Sequence, residues 1–212
     1  MLWSPAMTAP SLIDDASDTQ VAAWIEARLR AALAARPEGI AIAVPGGSTP
    51  FPILAELARA GLDWPRVAVW PGDDRMVDEG HPASNVGRIR ALLEPAGANI
   101  VPLREGTRPP RFALCWLGMG NDGHVASLFP DSDPRLDDPL PGRRLTPDPL
   151  PPEAPFDRVS LTLPALLNSE AILFVARGEA KRALFAEAAA GGNDLPVARL
   201  LAAATCPVTC FT

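Results

Sequence analysis

The residues whose types and spacing best suit chemistry lie in one turn, Gly118-Met119-Gly120-Asn121-Asp122-Gly123-His124. An acid and an imidazole flank one of three glycines within six residues. Glycine opens backbone conformations closed to other residues and lets a ligand approach the main chain. The chain has 2 histidines and no tyrosine. Acid–base work near neutral pH therefore falls to His124 and His81, the side chains with a suitable unperturbed pKa.

Three further clusters carry chemical promise. Pro45-Gly46-Gly47-Ser48-Thr49-Pro50 sits between an apolar run, Ile40 to Val44, and a helical stretch from Phe51 to Ala60. Free backbone N–H groups, two hydroxyls and a helix dipole there point the same way, which makes a phosphate cradle. The plainer account is a tight βα turn with Ser48 or Thr49 as a routine cap. The segment from Pro71 to Ala83 holds Asp73, Asp74, Arg75 and His81, and Ser84-Asn85 follows at the start of a helix to about Leu93. The plainer account is a solvated charged loop in which His81, before Pro82, only braces the chain. Lys181 lies one turn into a helix that opens at Arg177-Gly178-Glu179, and a surface lysine is the ordinary fate of such a residue.

These clusters need elements to hold them. A capping box at Ser17 and Gln20 opens a helix whose Val21, Trp24, Ile25, Leu29 and Leu33 recur at helical spacing to about Arg36. Short apolar strands are expected at 40–44, 66–70, 112–117, 171–176 and 207–211, with a further one at 99–103 and an alternating one at 158–163. Helices are expected at 164–168, 177–190 and 196–204. Residues 1–16 read as a loose lead-in, and 131–155, rich in Pro, Asp and Arg, as a long irregular loop. Strands and helices alternate, which predicts an α/β fold: one domain with a mostly parallel, twisted sheet and helices on both faces. The glycine turns, the acidic loop and Lys181 each follow a strand, so they should gather along one edge of the sheet.

Gly118-Met119-Gly120-x-Asp122-Gly123-His124-x-Ala126-Ser127-Leu128-Phe129-Pro130 resembles the signature of the 6-phosphogluconolactonases, in the wider glucosamine-6-phosphate isomerase/deaminase-like superfamily. The Asp73…Arg75…His81…Ser84-Asn85 segment, the Arg158-x-Ser160-Leu161-Thr162 segment and Gly178-Glu179-x-Lys181 match it in the same order. The chain departs in Asp74 for a usual glutamate, in Asp78 where proline is common, and in Cys210 or Phe211 near a usual tryptophan. The connection from 104 to 111 is also too short for the helix that such proteins generally carry there. A parallel crossover needs a dozen or more residues, so either 99–103 is not the neighbour of 112–117 or the sheet is rearranged.

The resemblance implies hydrolysis of 6-phosphogluconolactone to 6-phosphogluconate, feeding the pentose phosphate or Entner–Doudoroff route. It implies His124 as the base acting on water, with Asp122 or Asp73 orienting or balancing the imidazole. Substrate-binding residues are then Gly46, Gly47, Ser48, Thr49, Arg75, Asn85, Gly120 and Lys181, with at most a minor role for His81. No cofactor or metal is needed, and no His-x-x-Glu-His type spacing exists. A second reading is an isomerase/deaminase acting on glucosamine 6-phosphate, but those enzymes resemble this chain only through Asp-Gly-His. They carry a proton-transferring glutamate where Phe129 stands and a tyrosine where Arg75 stands. A third is a non-catalytic sugar-phosphate sensor, for which the chain has neither a basic DNA-reading segment nor spare length.

Composition narrows the field further. With 212 residues and 48% hydrophobic content, one substantial core is expected. A net charge of −6 argues against nucleic acid and anionic membranes as partners. The 3 cysteines, Cys115, Cys206 and Cys210, form no Cys-x-x-Cys pair and suit a reduced, cytoplasmic protein. The first 15 residues lack the basic and apolar regions of a signal peptide. The partner expected is a small sugar-phosphate lactone, and the chain a monomer or small homo-oligomer.

Overall fold

The computed structural model describes residues 9–150, 152 and 154–212. Among these described residues ten strands and six α-helices follow one another: β1 Ser11–Ile13, α1 Asp18–Ala35, β2 Ile40–Val44, α2 Pro50–Ala58, β3 Val67–Pro71, β4 Asp73–Arg75, α3 Asn85–Leu93, β5 Asn99–Ile100, β6 Leu114–Leu117, β7 Gly142–Leu145, β8 Arg158–Leu161, α4 Leu163–Leu167, β9 Ile172–Val175, α5 Glu179–Ala189, α6 Pro196–Ala203 and β10 Val208–Phe211. Seven strands form one all-parallel sheet in the order β1-β10-β9-β6-β2-β3-β5.

The sequence Ile40-Ala41-Ile42-Ala43-Val44 explains how this sheet is covered. Successive side chains of a strand point to opposite faces. Ile40, Ile42 and Val44 join the core built with Val21, Ile25 and Leu29 of α1, Ile53 and Leu57 of α2 and Ile89 of α3. Ala41 and Ala43 face the second core, with Leu166 of α4, Phe185 of α5 and Leu200 of α6. The small alanines leave room for Trp70 and Phe112, whose rings meet edge-on at 6.4 Å. The expected two-sided α/β architecture is therefore present. The capping box is present too, with Ser17 and Gln20 bonding each other's backbone N–H groups.

Strand order sets where a ligand binds. From β2 the chain steps outward to β3 and β5; from β6 it steps the other way to β9 and β10. The reversal lies between the adjacent strands β2 and β6, and open α/β sheets bind ligands at the carboxyl ends of strands flanking such a point. The glycine turns at 45–50 and 118–124 leave those two strands.

Four local expectations are corrected. Residues 11–13 are not part of a loose lead-in; they form an edge strand paired with β10, and residues 1–8 lie outside the described residues. The strand at 99–103 shortens to Asn99–Ile100 and is not a neighbour of β6, because β3 and β2 lie between them. The chain returns across the sheet through 101–113 with no helix, burying Leu103 and Phe112 as it goes. The acidic loop at 71–83 and the loop at 131–155 each contain a strand, β4 and β7. Both pair antiparallel with β8 in a second, three-stranded sheet, β4-β8-β7. No helix among the described residues is long and apolar enough to cross a membrane.

Candidate active site

A cleft of about 370 Å³ opens at the carboxyl ends of β2 and β6. Its walls include Gly46, Gly47, Ser48, Thr49, Asp73, Arg75, Asn85, Gly120, His124 and Lys181. Ten of the residues singled out from the sequence thus come together, from four stretches far apart in the chain.

The turn after β2 forms one wall. Thr49 precedes α2 with helical backbone angles, φ −61° and ψ −41°, and makes no side-chain cap hydrogen bond. The expected cap by Ser48 or Thr49 is therefore absent, so Thr49's hydroxyl is not engaged in capping the N–H groups that open the helix. Gly46 must be glycine for a steric reason, since a Cβ there would overlap the Asn85 carboxamide. Lys181 sits in the first turn of α5, half-buried.

His124 forms the second wall. Its Nδ1 lies 2.6 Å from Asp122 Oδ1, and its backbone N–H donates to the same oxygen at 3.2 Å. A carboxylate only accepts, so Nδ1 carries the proton toward Asp122, and in the neutral imidazole the lone pair is then on Nε2. The turn is closed by Gly120 N–H donating to the His124 carbonyl at 3.0 Å. The Phe129 ring lies against the imidazole, centroids 4.6 Å apart.

The small sheet forms the third wall, and alternation again sorts its residues. Asp73 lies opposite Ser160 and Arg75 opposite Arg158 across β4 and β8. These four share one face, and Asp73, Arg75 and Arg158 line the cleft. Asp73 is buried and held by Ser127 Oγ–H at 2.5 Å and by the Asn85 amide at 3.4 Å. Asp122, not Asp73, is thus the carboxylate in contact with His124. Arg75 donates to the Ala83 carbonyl at 2.9 Å and to Asn85 Oδ1 at 3.2 Å. Asp74 accepts on α3 from the N–H groups of Asn85 at 2.6 Å and Val86 at 3.1 Å. Burial raises its carboxyl pKa above the ordinary value, and those backbone donors pull it back. Asp74 therefore anchors the helix that presents Asn85, and the charged triplet is a strand with both aspartates buried and Arg75 half-buried, not a solvated loop.

His81 stays outside the cleft. Its Nδ1 accepts from the Ala83 N–H at 3.1 Å, and its ring stands edge-on to Phe156. Two cleft residues with ionic or hydroxyl side chains went unselected from the sequence. Ser127 bonds Asp73 and, through its backbone N–H, Ser160 Oγ at 3.2 Å. Arg158 is 3% exposed and donates to the Ala154 carbonyl at 2.8 Å. Both lay inside segments already noted, and the sequence held a further signal: of 19 basic residues only Lys181 is lysine.

A family model described as glucosamine-6-phosphate isomerases/6-phosphogluconolactonase matches residues 14–109 and 98–208. The chain is 38% identical to a 6-phosphogluconolactonase of Pseudomonas putida, over 79% of this chain and 76% of that protein. It is 34% identical to one of Pseudomonas aeruginosa, over 86% of each. Among solved structures, a 6-phosphogluconolactonase from Shewanella baltica superposes with a TM-score of 0.82 at 26% identity, covering 97% of this chain and 98% of that one.

Proposed function

The chain belongs to the glucosamine-6-phosphate isomerase/6-phosphogluconolactonase family, and from that premise we propose that it is a 6-phosphogluconolactonase, a cytoplasmic enzyme that hydrolyses 6-phosphoglucono-1,5-lactone to 6-phosphogluconate. The observation that carries this reading is His124, paired with Asp122, facing the same cleft as the glycine cradle and Lys181. Nε2 of His124 takes a proton from water as the water oxygen adds to the lactone carbonyl. The bond from C1 to the ring oxygen then breaks, and the imidazolium returns the proton to that oxygen. Such proton transfer typically contributes about 10²–10⁴-fold. Asp122 holds the tautomer and stabilises the imidazolium. Gly46 to Thr49 and Lys181 hold the phosphate through backbone N–H groups, hydroxyls and one ammonium. Asp73 and Asn85 fix the floor, and Arg75 faces the substrate's anionic oxygens.

The isomerase/deaminase reading needs a proton-transferring group beside the histidine, and Phe129 fills that place with a hydrocarbon ring. The deciding experiment is hydrolysis of freshly generated 6-phosphogluconolactone with the spontaneous rate subtracted. Acceleration is expected; no rate above background, or turnover of glucosamine 6-phosphate instead, overturns the assignment. Every proton transfer in this scheme runs between His124, water and substrate, so activity is expected to survive exhaustive chelation. Complete loss restored by zinc would contradict the scheme.

A further inference from the structure

The chain on either side of His124 is tied to one helix, α6. Before the imidazole, the Gly123 carbonyl accepts from Val197 N–H, in the first turn of α6, at 3.1 Å. A Cβ on Gly123 would lie 2.8 Å from Leu195 Cδ1, so the turn packs directly on the residue that precedes the helix. After the imidazole, the chain passes Phe129, whose ring lies against His124, and enters a 3₁₀ turn at Pro130–Ser132. Ser132 N–H and Oγ–H both donate to the Phe129 carbonyl, at 3.1 and 2.7 Å. Arg199 of α6 takes hold where this turn ends. Its Nη1 donates to Asp133 Oδ1 at 2.5 Å and to the Pro134 carbonyl at 3.1 Å.

The rest of the Arg199 guanidinium is engaged as well. Nε and Nη2 donate to the two carboxylate oxygens of Asp194, at 3.0 and 2.8 Å. Asp194 adjoins Leu195, so one guanidinium links the end of the Phe129 turn to the stretch that packs on Gly123. A planar fork can serve these partners at fixed angles, whereas an ammonium is a point charge. Asp133 and Asp194 are 75% and 80% exposed, and exposed pairs add little to global stability. The consequence of the network is local: it fixes where residues 129–134 stand relative to α6. Ser127 holds the same loop to the small sheet, so Phe129 is suspended between two anchored points.

We propose that Arg199 is a positioning residue for the hydrolysis, acting through Asp133 and Pro134 to keep the Phe129 ring against His124. This rests on the lactonase reading. Asp122 holds the Nδ1 edge of the imidazole and Phe129 packs on its ring, so together they set the direction in which Nε2 points. With Arg199 removed, the 129–134 turn loses its outer anchor and the Phe129 ring withdraws. The imidazole then gains rotation about its Cβ–Cγ bond, and Nε2 spends less time aimed at the attacking water. The phosphate cradle stands on the turn after β2 and is not part of this network.

The test separates positioning from folding. R199M and R199K are compared with the parent in hydrolysis of 6-phosphogluconolactone and in binding of glucitol 6-phosphate, which keeps the phosphate but has an alcohol at C1. The imidazole proton NMR signals are read beside them; the chain has 2 histidines, and His81→Ala identifies the signals of His124. R199M is expected to lower kcat by about 10- to 100-fold, the cost of misplacing a reacting group by up to about an ångström. KM and glucitol 6-phosphate affinity are expected to stay within about twofold. The His124 ring protons, released from the shielding of Phe129, are expected to move toward unfolded-chain values. R199K keeps the charge without the fork and is expected to restore kcat only in part. D133N suits the left-handed backbone there, φ 42°, and weakens one bond from the loop side. It is expected to move the same signals by less, and it decides the matter if R199M fails to fold. Parental kcat in folded R199M, unmoved His124 signals, or parallel losses of kcat and glucitol 6-phosphate binding would overturn the proposal. A parent with no lactonase rate would instead sink the functional reading, and the His124 signals would still show whether Arg199 holds Phe129 in place.

Discussion

His124 and Lys181 are expected to fail in different ways when removed. A base acts in the transition state, so His124→Ala should lower kcat by about 10²–10⁴-fold while 6-phosphogluconate still binds. Steady-state kinetics and a binding titration check the two halves; near-parental kcat would make His124 a structural part of its turn. His81→Ala should leave kcat near parental, since that ring bonds Ala83 and touches Phe156 outside the cleft; a loss rivalling that of His124→Ala would reverse the assignment. Lys181→Met should raise KM by roughly 10- to 150-fold with little change in kcat, the cost of one ionic hydrogen bond. As the chain's only lysine, Lys181 gives one side-chain signal after reductive ¹³C-methylation, which preserves its charge. That signal should move on titration with inorganic phosphate, and a fixed signal would place the phosphate elsewhere.

At the scale of elements, the turn after β6 holds the imidazole through close packing as well as hydrogen bonds. A Cβ at Gly120 would overlap both the His124 ring and the Asp122 carboxylate. Gly120→Ala should therefore displace the pair and lower kcat on the order of 10²-fold, the typical cost of misplacing a reacting group by about an ångström. Affinity for glucitol 6-phosphate should hardly change, because the cradle lies on the neighbouring turn. Unchanged kcat, measured beside a circular dichroism melt, would show that the turn absorbs a methyl group without moving His124. The small sheet has a different task. It turns a polar triplet into a floor, with Asp73 and Arg75 facing the cleft and Asp74 pointing the other way onto the start of α3.

At the scale of the whole molecule, two cores enclose the sheet and two of its thiols. Burial pushes Cys115 and Cys210 up to about 12, and raises half-buried Cys206 from its ordinary value. Native protein treated with iodoacetamide near neutral pH should react at Cys206 alone, and at all 3 cysteines once unfolded; rapid native alkylation of Cys115 would contradict the packing. Above the ordinary thiol pKa of 9.0 the unfolded chain loses protons that the fold retains. The unfolded state then binds fewer protons, so stability should decline as pH rises through that range, and the melting temperature should record it. Much of this molecule was already legible in the chain. The Ile-Ala-Ile-Ala-Val strand, the Ser17 capping box and the two glycine turns are local patterns, and local patterns report local geometry. They were enough to predict a two-sided parallel sheet and the motifs at its carboxyl ends. The pairing of β4 and β7 with β8 was not legible. Three or four polar residues carry no apolar period, and their ladder partners lie far off in sequence. The same gap hid that Arg158 faces Arg75 across that ladder, and left open whether Asp73 or Asp122 touches His124. Sequence determined which groups do chemistry because residue type is chemistry; tertiary structure decided which of them meet, because only folding brings distant strands into register.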